Sequence, residues 1–367
     1  MVEKGLKRIC FYTSDYGYGH AARDIAIIRR IQQVGFAEII VKTDTAFDFM
    51  SRSLPGCTIV RQRNDIGLIY NDRIKVDRDS TKRALDAWVG SWDDYIRAET
   101  KFCKENKIDM IISDITPQPF LVAEDLGVPG IGLSNFTWHY IFYNLLGADP
   151  AVERIGEAYK AGDLAIILPF HEEMGLFRAR KIIPLVSRKI TVRRNALRAM
   201  NGIGEDELLI YLGQGKSLKS GIFKELEDLE LRGKKLLVSS NAELPGGMPQ
   251  EKIVRIPPTE TESQNYLAMA DLAVSKAGYS TVSEAIQGRV PMLLFRREGY
   301  EEDKLIVNGV EKLGVGRETE IDDFASGRWI NELNDIEKYN DSFDRLDNTF
   351  KADGTQDAVD MIKGMVL

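Results

Sequence analysis

The sequence predicts an α/β fold built from two doubly wound, Rossmann-like halves. Short buried apolar runs alternate with amphipathic helical stretches along the chain. The order strand, glycine turn, helix occurs near the N-terminus and starts again near residue 208, and 367 residues suffice for two domains of ordinary size. Because ligands of open parallel sheets bind at the carboxyl ends of the strands, a ligand cleft is expected between the halves.

Composition and charge exclude several classes of protein. A net charge of −7 argues against a nucleic-acid binder held by bulk electrostatics. Cys10, Cys57 and Cys103 are far apart, odd in number and without metal-ligand spacing, so reduced thiols in a cytoplasmic protein are expected. The first apolar run is too short for a signal peptide. No stretch approaches the roughly 20 apolar residues that span a bilayer.

The first half opens as a βαβ unit. Its predicted elements are a strand at 8–13, a glycine loop at 14–20, a helix at 21–34 and a strand at 39–41. The turn G-Y-G-H-A-A is close to the dinucleotide fingerprint, and Asp44 follows the second strand where a ribose-binding acid would sit. An NAD-dependent enzyme is therefore an alternative. His20 fits that alternative poorly, since small residues are needed where a helix approaches a pyrophosphate.

The remainder of the first half continues the alternation. We predict a helical stretch at 81–106, a strand at 109–114, a helix at 120–126, a strand at 130–133 and a last strand at 165–169. The aromatic run between Phe136 and Tyr143 favours core packing, with an acceptor pocket or peripheral membrane contact as alternatives. The stretch 178–198 has eight basic and no acidic residues, which indicates a solvated linker or a contribution to anion binding.

The second half restarts the pattern. Its predicted elements are a strand at 208–212, the turn G-Q-G-K-S at 213–217, a helix at 222–231 and strands at 236–238 and 252–256. The turn is similar to a P-loop but lacks the upstream glycine, so a kinase-like P-loop is rejected. Backbone amides of such a turn still suit a phosphate.

The stretch 271–303 combines several binding features. A short strand ends at Lys276-Ala277-Gly278, and Ser280 or Thr281 is expected to cap a helix that contains Glu284 at capping-box spacing. Gly278 lets a phosphate or sugar approach the helix N-terminus. A buried strand at 290–295 is followed by an acidic loop that contains Glu301 and Glu302, and 354–367 is predicted to form one closing helix. The alternative is that Glu284 only caps the helix and the acids are solvated.

Several motifs in order indicate a family. G-Y-G-H (17–20), P-L-V-S-R (184–188), G-Q-G-K-S (213–217) and K-A-G-Y-S-T-V-S-E (276–284) followed by V-P-M-L-L resemble the two-Rossmann GT-B glycosyltransferases, in particular the family 28 branch that includes the UDP-N-acetylglucosamine transferase of peptidoglycan lipid synthesis. S-D-I-T-P (113–117), N-F-T-W (135–138) and F-R-R-E-G-Y-E-E (295–302) resemble the transferase-like N-terminal half of plant L-arabinokinases even more.

This resemblance implies a metal-independent, inverting glycosyltransferase. Its donor would be a nucleotide diphosphate sugar, UDP-linked by analogy, which serves as co-substrate without a further cofactor. The acceptor hydroxyl is unknown and belongs to a sugar, a lipid-linked molecule or a small molecule. The implied domains are an acceptor domain at 1–183, a donor domain at 184–349 and a closing helix at 350–367.

The resemblance also implies roles for individual residues. His20 is the candidate general base, and Gly17, Gly19 and Asp114 lie with it on the acceptor side. Glu284 would bind the ribose, while the donor diphosphate would be held by Arg188, Gly213, Gly215, Ser217, Gly278 and Tyr279.

One departure from the family pattern concerns the donor sugar. The family 28 pattern has two glutamines after V-P, whereas this chain has Glu301-Glu302-Asp303. Carboxylates there would accept hydrogen bonds from sugar hydroxyls and repel a carboxylated or phosphorylated sugar. A nucleotide-sugar hydrolase or epimerase and a non-catalytic nucleotide-sugar binding protein remain alternatives, because a fold does not fix a reaction.

Overall fold

The computed structural model describes residues 6–71, 74–213, 226 and 229–367, and these form two compact units. Unit 1 comprises Met1–Tyr70, Val76–Val186 and Ala352–Leu367, and unit 2 comprises Asn71–Lys75 and Ser187–Lys351. Each unit has one parallel sheet with helices, so the predicted α/β class is confirmed.

Unit 1 is organised around a sheet whose described strands lie in the order β3-β2-β1-β4-β5-β6-β7, all parallel. The strands are β1 (Lys7–Thr13), β2 (Ala37–Thr43), β3 (Thr58–Arg61), β4 (Met110–Asp114), β5 (Gly130–Ser134), β6 (Leu164–Ile167) and β7 (Ala179–Ile182). The helices are α1 (Tyr18–Val34), α2 (Phe47–Ser53), α3 (Arg78–Gly90), α4 (Trp92–Glu105), α5 (Gln118–Leu126), α6 (Trp138–Leu146) and α7 (Pro150–Lys160). The strand order reverses beside β1, so the carboxyl ends of β1 and β4 flank the switch point where such sheets bind ligands.

Three local predictions for unit 1 were wrong. The helix expected at 21–34 begins at Tyr18, so His20 lies in its first turn rather than in the loop. The stretch expected to form one helix at 81–106 is two, because the chain turns at Ser91, whose hydroxyl donates to the Trp88 carbonyl. The strand after residue 164 is not the last, since β7 adds a wholly exposed edge strand from the basic stretch. Charged edge strands are common because they discourage further pairing.

Half of the aromatic run at the start of α6 forms core, as expected, while His139 and Tyr140 are half-buried and Tyr143 is exposed. Phe136, Trp138 and Phe142 are buried, and the Trp138 ring packs against both phenylalanines. Tyr143 is 49% exposed and stacks on His139.

Unit 2 repeats the doubly wound pattern in the order β10-β9-β8-β11-β12-β13, again all parallel. The strands are β8 (Leu208–Gly213), β9 (Lys234–Ser239), β10 (Ile253–Ile256), β11 (Leu272–Lys276), β12 (Met292–Phe295) and β13 (Gly316–Glu318). The helices are α8 (Arg194–Met200), α9 (Ser263–Leu267), α10 (Tyr279–Gln287), α11 (Glu301–Leu313), α12 (Ile321–Ser326), α13 (Asn340–Arg345) and α14 (Asn348–Lys351), with 3₁₀ helices at Gln250–Lys252 and Arg328–Tyr339. The carboxyl ends of β8 and β11 flank the switch point of this sheet.

The chain ends in α15 (Gly354–Val366), which confirms the predicted closing helix and belongs to unit 1. It lies against α1, where Arg30 Nε donates to Gln356 Oε1 over 2.6 Å.

The helix predicted at 222–231 falls mostly outside the described residues, and its described members, Leu226 and 229–231, are not helical. In the described part of the chain, no helix combines the length and the apolar character that crossing a membrane requires.

Candidate active site

The first group of candidate residues lies in unit 1, where α1 begins. Gly17 is the N-cap of α1 with φ of +100°, a conformation that favours glycine, and a Cβ there would meet open space. The first turn of α1, which includes Gly19 and His20, has no acidic residue and no side-chain cap. The backbone amides of this turn therefore point out of the N-terminal end of α1. This is the end of the helix that follows the carboxyl end of β1.

His20 contacts Asp114, which comes from the carboxyl end of β4. The His20 Nδ1 atom lies 2.9 Å from Asp114 Oδ1, and both side chains are buried, His20 being 6% and Asp114 0% exposed. The strand register aligns Thr13 at the end of β1 with Asp114, which brings the start of α1 next to the carboxylate. The structure thus brings together two side chains that are 94 positions apart in the sequence.

Arg23 lies one turn after His20 and binds the same carboxylate in a bidentate manner. Its Nε donates to Asp114 Oδ2 over 2.7 Å and its Nη2 to Oδ1 over 2.5 Å. Nη1 donates to Asn135 Oδ1 over 2.9 Å, and Nη2 also lies 3.1 Å from Ser134 Oγ. The guanidinium therefore joins the ends of β4 and β5 to the first turns of α1.

The hydrogen positions on His20 follow from this arrangement. Arg23 Nη2 is also 2.8 Å from His20 Nδ1, but a guanidinium nitrogen only donates, and Asp114 Oδ1 and Ser134 Oγ provide acceptors for both Nη2 hydrogens. We therefore assign the Nδ1 proton of His20 to a hydrogen bond with Asp114. In this neutral tautomer Nε2 carries the lone pair and is the basic atom.

The electrostatics keep Asp114 ionised. Burial raises the pKa of Asp114, but the charge of Arg23 and the hydrogen bonds from Arg23 and His20 outweigh it, so its pKa lies below the ordinary value. Asp24 is the opposite case, because burial and the nearby Asp114 raise its pKa well above the usual range. Thr13 Oγ1 donates to Asp24 Oδ2 over 2.6 Å, and Asp24 Oδ1 has no hydrogen-bond partner among the described residues. The pKa values of the two carboxyls near Arg23 are thus shifted in opposite directions.

The second group lies in unit 2 and is centred on Glu284 of α10. Arg188 Nε donates to Glu284 Oε1 over 2.8 Å, and both side chains are buried. The other Arg188 nitrogens donate to the Thr261 carbonyl and, over 3.0 Å, to Ser263 Oγ. Burial raises the pKa of Glu284, with Arg188 acting against the rise. Arg188 is therefore engaged with Glu284, whereas the sequence suggested a direct role at the diphosphate.

The glycine turn after β8 is described only at its first residue. A Cβ on Gly213 would lie 2.6 Å from Tyr211 Cε1 and 2.9 Å from Ser275 Cβ, so packing alone requires a glycine there. Gly215 and Ser217 lie outside the described residues.

The N-terminus of α10 adjoins a lysine. Gly278 is the N-cap of α10 and no side chain caps the helix, so the expectation that Ser280 or Thr281 would do so was wrong. Both residues lie inside the first turn because the helix already begins at Tyr279, which is buried. A Cβ on Gly278 would lie 3.6 Å from Lys276 Cε and 3.8 Å from Lys276 Nζ. An ammonium group thus lies beside uncapped amides, a combination that suits an anion.

The surroundings of Lys276 make it unusually easy to deprotonate. The pKa of Lys276 is lowered to about 7, chiefly by burial and next by the positive Arg297, while Asp303 and Glu302 act in the opposite direction. The residue as a whole is half-buried.

The acids expected in a loop after β12 instead open α11. Glu301, Glu302 and Asp303 form its first turn, where negative charge is favoured by the helix dipole. Asp303 is fully buried and accepts from the Arg297 backbone over 2.7 Å and from its Nε over 2.9 Å. Glu302 is also buried, 3.9 Å from Arg297 Nη2, whereas Glu301 pairs with Lys304.

Sequence reasoning missed three of these residues, namely Arg23, Lys276 and Arg297. Arg23 follows His20 by three positions, so helical spacing already places both on one face. Lys276 stands directly before the Gly278 turn, and its position at the carboxyl end of a strand was the available signal. Nothing in the sequence distinguished Arg297 from its neighbour Arg296.

Comparisons with known proteins agree on the fold. No family model matches the chain. The chain is 27% identical over 329 residues to the L-arabinokinase of Arabidopsis thaliana. The matched region covers 87% of this chain and 31% of that protein, so the chain spans about a third of this curated relative. Among solved structures it is similar to the calicheamicin glycosyltransferase CalG4 (15% identity, TM-score 0.69, 98% of each chain) and to UDP-glucose: anthocyanidin 3-O-glucosyltransferase in complex with UDP (12% identity, TM-score 0.69, 99% of each chain). The fold is GT-B.

Proposed function

We propose that the chain is a metal-independent, inverting glycosyltransferase that moves a sugar from a UDP-linked donor to an acceptor hydroxyl. The observation that carries the proposal is the buried His20–Asp114 pair at the start of α1 in a GT-B fold. A histidine held by a carboxylate through Nδ1 is a suitable general base at neutral pH. We further assign the chain to the family 28 branch and to the transferase-like half of the L-arabinokinases, on the motifs quoted above.

In the proposed reaction His20 Nε2 takes the proton of the acceptor hydroxyl. The acceptor oxygen forms a bond with the anomeric carbon of the donor while the bond from that carbon to the β-phosphate oxygen breaks, and its electron pair leaves with UDP. A single displacement of this kind inverts the anomeric configuration. Asp114 fixes the tautomer of His20 and stabilises the imidazolium, and Arg23 keeps Asp114 ionised and in place.

The donor half of the proposal rests on α10 and its surroundings. Glu284 accepts hydrogen bonds from the ribose hydroxyls, and Arg188 orients Glu284 through their ion pair. The amides at Gly278 and Tyr279 together with the Lys276 ammonium bind the diphosphate and stabilise the charge that develops on the leaving UDP. Because a lysine and helix amides supply this positive charge, the proposal needs no metal ion or further cofactor.

The partners and compartment remain part of the proposal. The acceptor is a sugar, a lipid-linked molecule or a small molecule with a free hydroxyl. All three cysteines are free thiols, which supports a reducing, cytoplasmic environment.

The decisive experiment combines ligand binding with turnover. Thermal shifts are measured with UDP, UDP-glucose, UDP-galactose, UDP-N-acetylglucosamine and NAD, and sugar transfer to an acceptor library or release to water is followed with and without EDTA. We expect stabilisation by uridine nucleotides and not by NAD, and turnover that EDTA leaves unchanged. His20→Ala should lower turnover by a factor on the order of 10²–10⁴ while the UDP affinity stays the same.

Other outcomes would overturn specific parts of the proposal. Stabilisation by NAD alone would support the dehydrogenase alternative. Tight UDP binding with no transfer and no sugar release would indicate a binding protein. Full activity in His20→Ala would remove the assigned base.

A further inference from the structure

A short upstream segment belongs to unit 2 although the rest of that unit begins at Ser187. The described members of this segment, Asn71–Lys75, are Asn71, Ile74 and Lys75. The Asn71 amide donates to the Lys75 carbonyl over 2.9 Å, so these two residues are paired through their backbones. The question is what this piece of chain does within unit 2.

The segment contacts the loop that connects β12 to α11. The Glu298 amide donates to the Ile74 carbonyl over 3.0 Å, and Lys75 and Glu298 form a parallel β-bridge. The Ile74 side chain packs against the buried hydrophobic cluster that includes Phe295 and Phe324. The segment therefore supports this loop with one backbone hydrogen bond and one apolar anchor.

The ion pair at the same place contributes much less. Lys75 Nζ lies 2.9 Å from Glu298 Oε1, but the two side chains are 60% and 61% exposed. Ion pairs between exposed side chains contribute little to the stability of the fold. Water screens the charges, and both side chains lose conformational freedom when they pair. The Ile74 anchor and the backbone bond thus carry the contact.

The supported loop leads directly into Glu301 and Glu302, the acids that the sequence predicts to accept hydrogen bonds from the donor sugar. Gly299 has φ of +86°, and Tyr300 is the N-cap of α11, so the path from Glu298 to Glu302 is a tight turn followed by a helix start. On its other side the loop is fixed by the buried Arg297–Asp303 pair. If the Ile74 side were released, Glu298 would lose its backbone partner, and the path to Glu302 would depend on that pair, on the helix and on Tyr300, whose ring lies against the Arg297 guanidinium.

We propose that the Ile74 segment is a positioning element for the sugar end of the donor site. It fixes the β12–α11 loop and through it Glu302, and so determines which sugar the protein accepts. This inference rests on the proposed function. It assigns no contact between Ile74 and the substrate, since Ile74 acts through the loop. A change at Ile74 should therefore alter how tightly the sugar portion of the donor is bound. Binding of the nucleotide, which the proposal assigns to Glu284 and the N-terminus of α10, should not change.

The test compares Ile74→Ala with Ile69→Ala, a matched control in which the same side chain is 37% exposed and not part of the cluster. Dissociation constants are measured for UDP and for UDP-glucose, UDP-galactose and UDP-N-acetylglucosamine. We expect Ile74→Ala to leave UDP affinity within about twofold, to weaken the best-bound UDP-sugar about tenfold and to reduce discrimination among the three sugars. Ile69→Ala and Lys75→Met should match the wild type.

Hydrogen exchange gives a readout that does not depend on the ligand. The Glu298 amide should exchange about tenfold faster in Ile74→Ala than in either control, because its acceptor is no longer held. Ile74→Val, which removes one methylene, should show a smaller change in the same direction and replaces the alanine variant if that variant does not fold.

The outcomes separate this inference from the proposed function. Absence of uridine-nucleotide binding in the wild type would overturn the proposed function. Wild-type binding together with unchanged sugar discrimination in Ile74→Ala, or equal weakening of UDP and all UDP-sugars, would overturn the positioning role alone.

Discussion

Lys276 gives the proposed donor site a pH dependence whose sign follows from the structure. Burial, with Arg297 as the second cause, lowers its pKa to about 7, and Glu302 and Asp303 only partly oppose this. The ammonium form attracts the donor diphosphate, and its population falls as the pH rises through about 7. A bound diphosphate in turn favours the protonated lysine, which raises its pKa in the complex. Affinity for the donor should therefore decrease with increasing pH.

The size of the effect can be bounded. If the complex keeps Lys276 protonated up to its ordinary range, the dissociation constant rises by up to one decade per pH unit above about 7. Between pH 6 and pH 8.5 this amounts to about 30-fold at most, or about 2 kcal/mol of binding free energy. A smaller rise in the pKa on binding reduces the effect in proportion.

The assay uses UDP-glucose and isothermal titration at constant ionic strength. A UDP-sugar is preferable to UDP, because the terminal phosphate of UDP itself titrates near neutral pH and would oppose the trend. The matched variants are Lys276→Arg, which should bind with little pH dependence since its charge is permanent, and Lys276→Met, which should bind weakly at every pH. A wild-type profile that is flat from pH 6 to 8.5, or one that Lys276→Met reproduces, would refute the reasoning.

Two further predictions concern the ion pairs in the two groups of site residues. Asp114→Asn should lower turnover by a factor on the order of 10²–10⁴, because an amide cannot hold the Nδ1–H tautomer of His20 in the same way, and should destabilise the fold by about 3–5 kcal/mol, since Arg23 loses its buried counter-charge. Kinetics and urea unfolding check both effects, and turnover that follows only the folded fraction would contradict the tautomer argument. Glu284→Gln should abolish the preference for UDP over 2′-deoxy-UDP, which in the wild type should be about tenfold if the carboxylate accepts from the ribose hydroxyl. The same preference in wild type and variant would exclude the ribose assignment.

Local sequence patterns were sufficient for ten of the thirteen described strands and for part of the site. The short apolar run Leu272–Val274, followed by the Lys276-Ala277-Gly278 turn, is typical of a buried strand of a parallel sheet, and it forms the central strand β11. The carboxyl ends of parallel strands all lie along the same edge of a sheet. The motif residues that directly follow the strands therefore lie along that edge as well. The family resemblance placed His20 and Asp114 on one side of unit 1, and the register of β1 with β4 explains why they meet there.

The remaining features depend on contacts that are distant in the sequence. Ser280 and Thr281 have side chains suited to capping α10. The capping prediction failed because the helix already begins one residue after Gly278. The engagement of Arg188 by Glu284 joins positions 96 apart, and the support of Glu298 by Ile74 joins even more distant ones. No periodicity or motif encodes such pairs, because each partner alone is an ordinary polar or apolar residue.

The acids of the β12–α11 region show how such pairs alter a chemical argument. In the sequence, Glu301, Glu302 and Asp303 suggest a patch that repels a carboxylated or phosphorylated sugar. In the structure Glu298 faces Lys75, Glu301 faces Lys304, and Asp303 is held by Arg297. Glu302 lies 3.9 Å from Arg297 Nη2 and within the electrostatic influence of Lys276. With a cation opposite each acid, net repulsion cannot be the main determinant of sugar choice. Under the proposed function, discrimination then depends on which hydroxyls Glu302 reaches, and therefore on how firmly the loop before it is held.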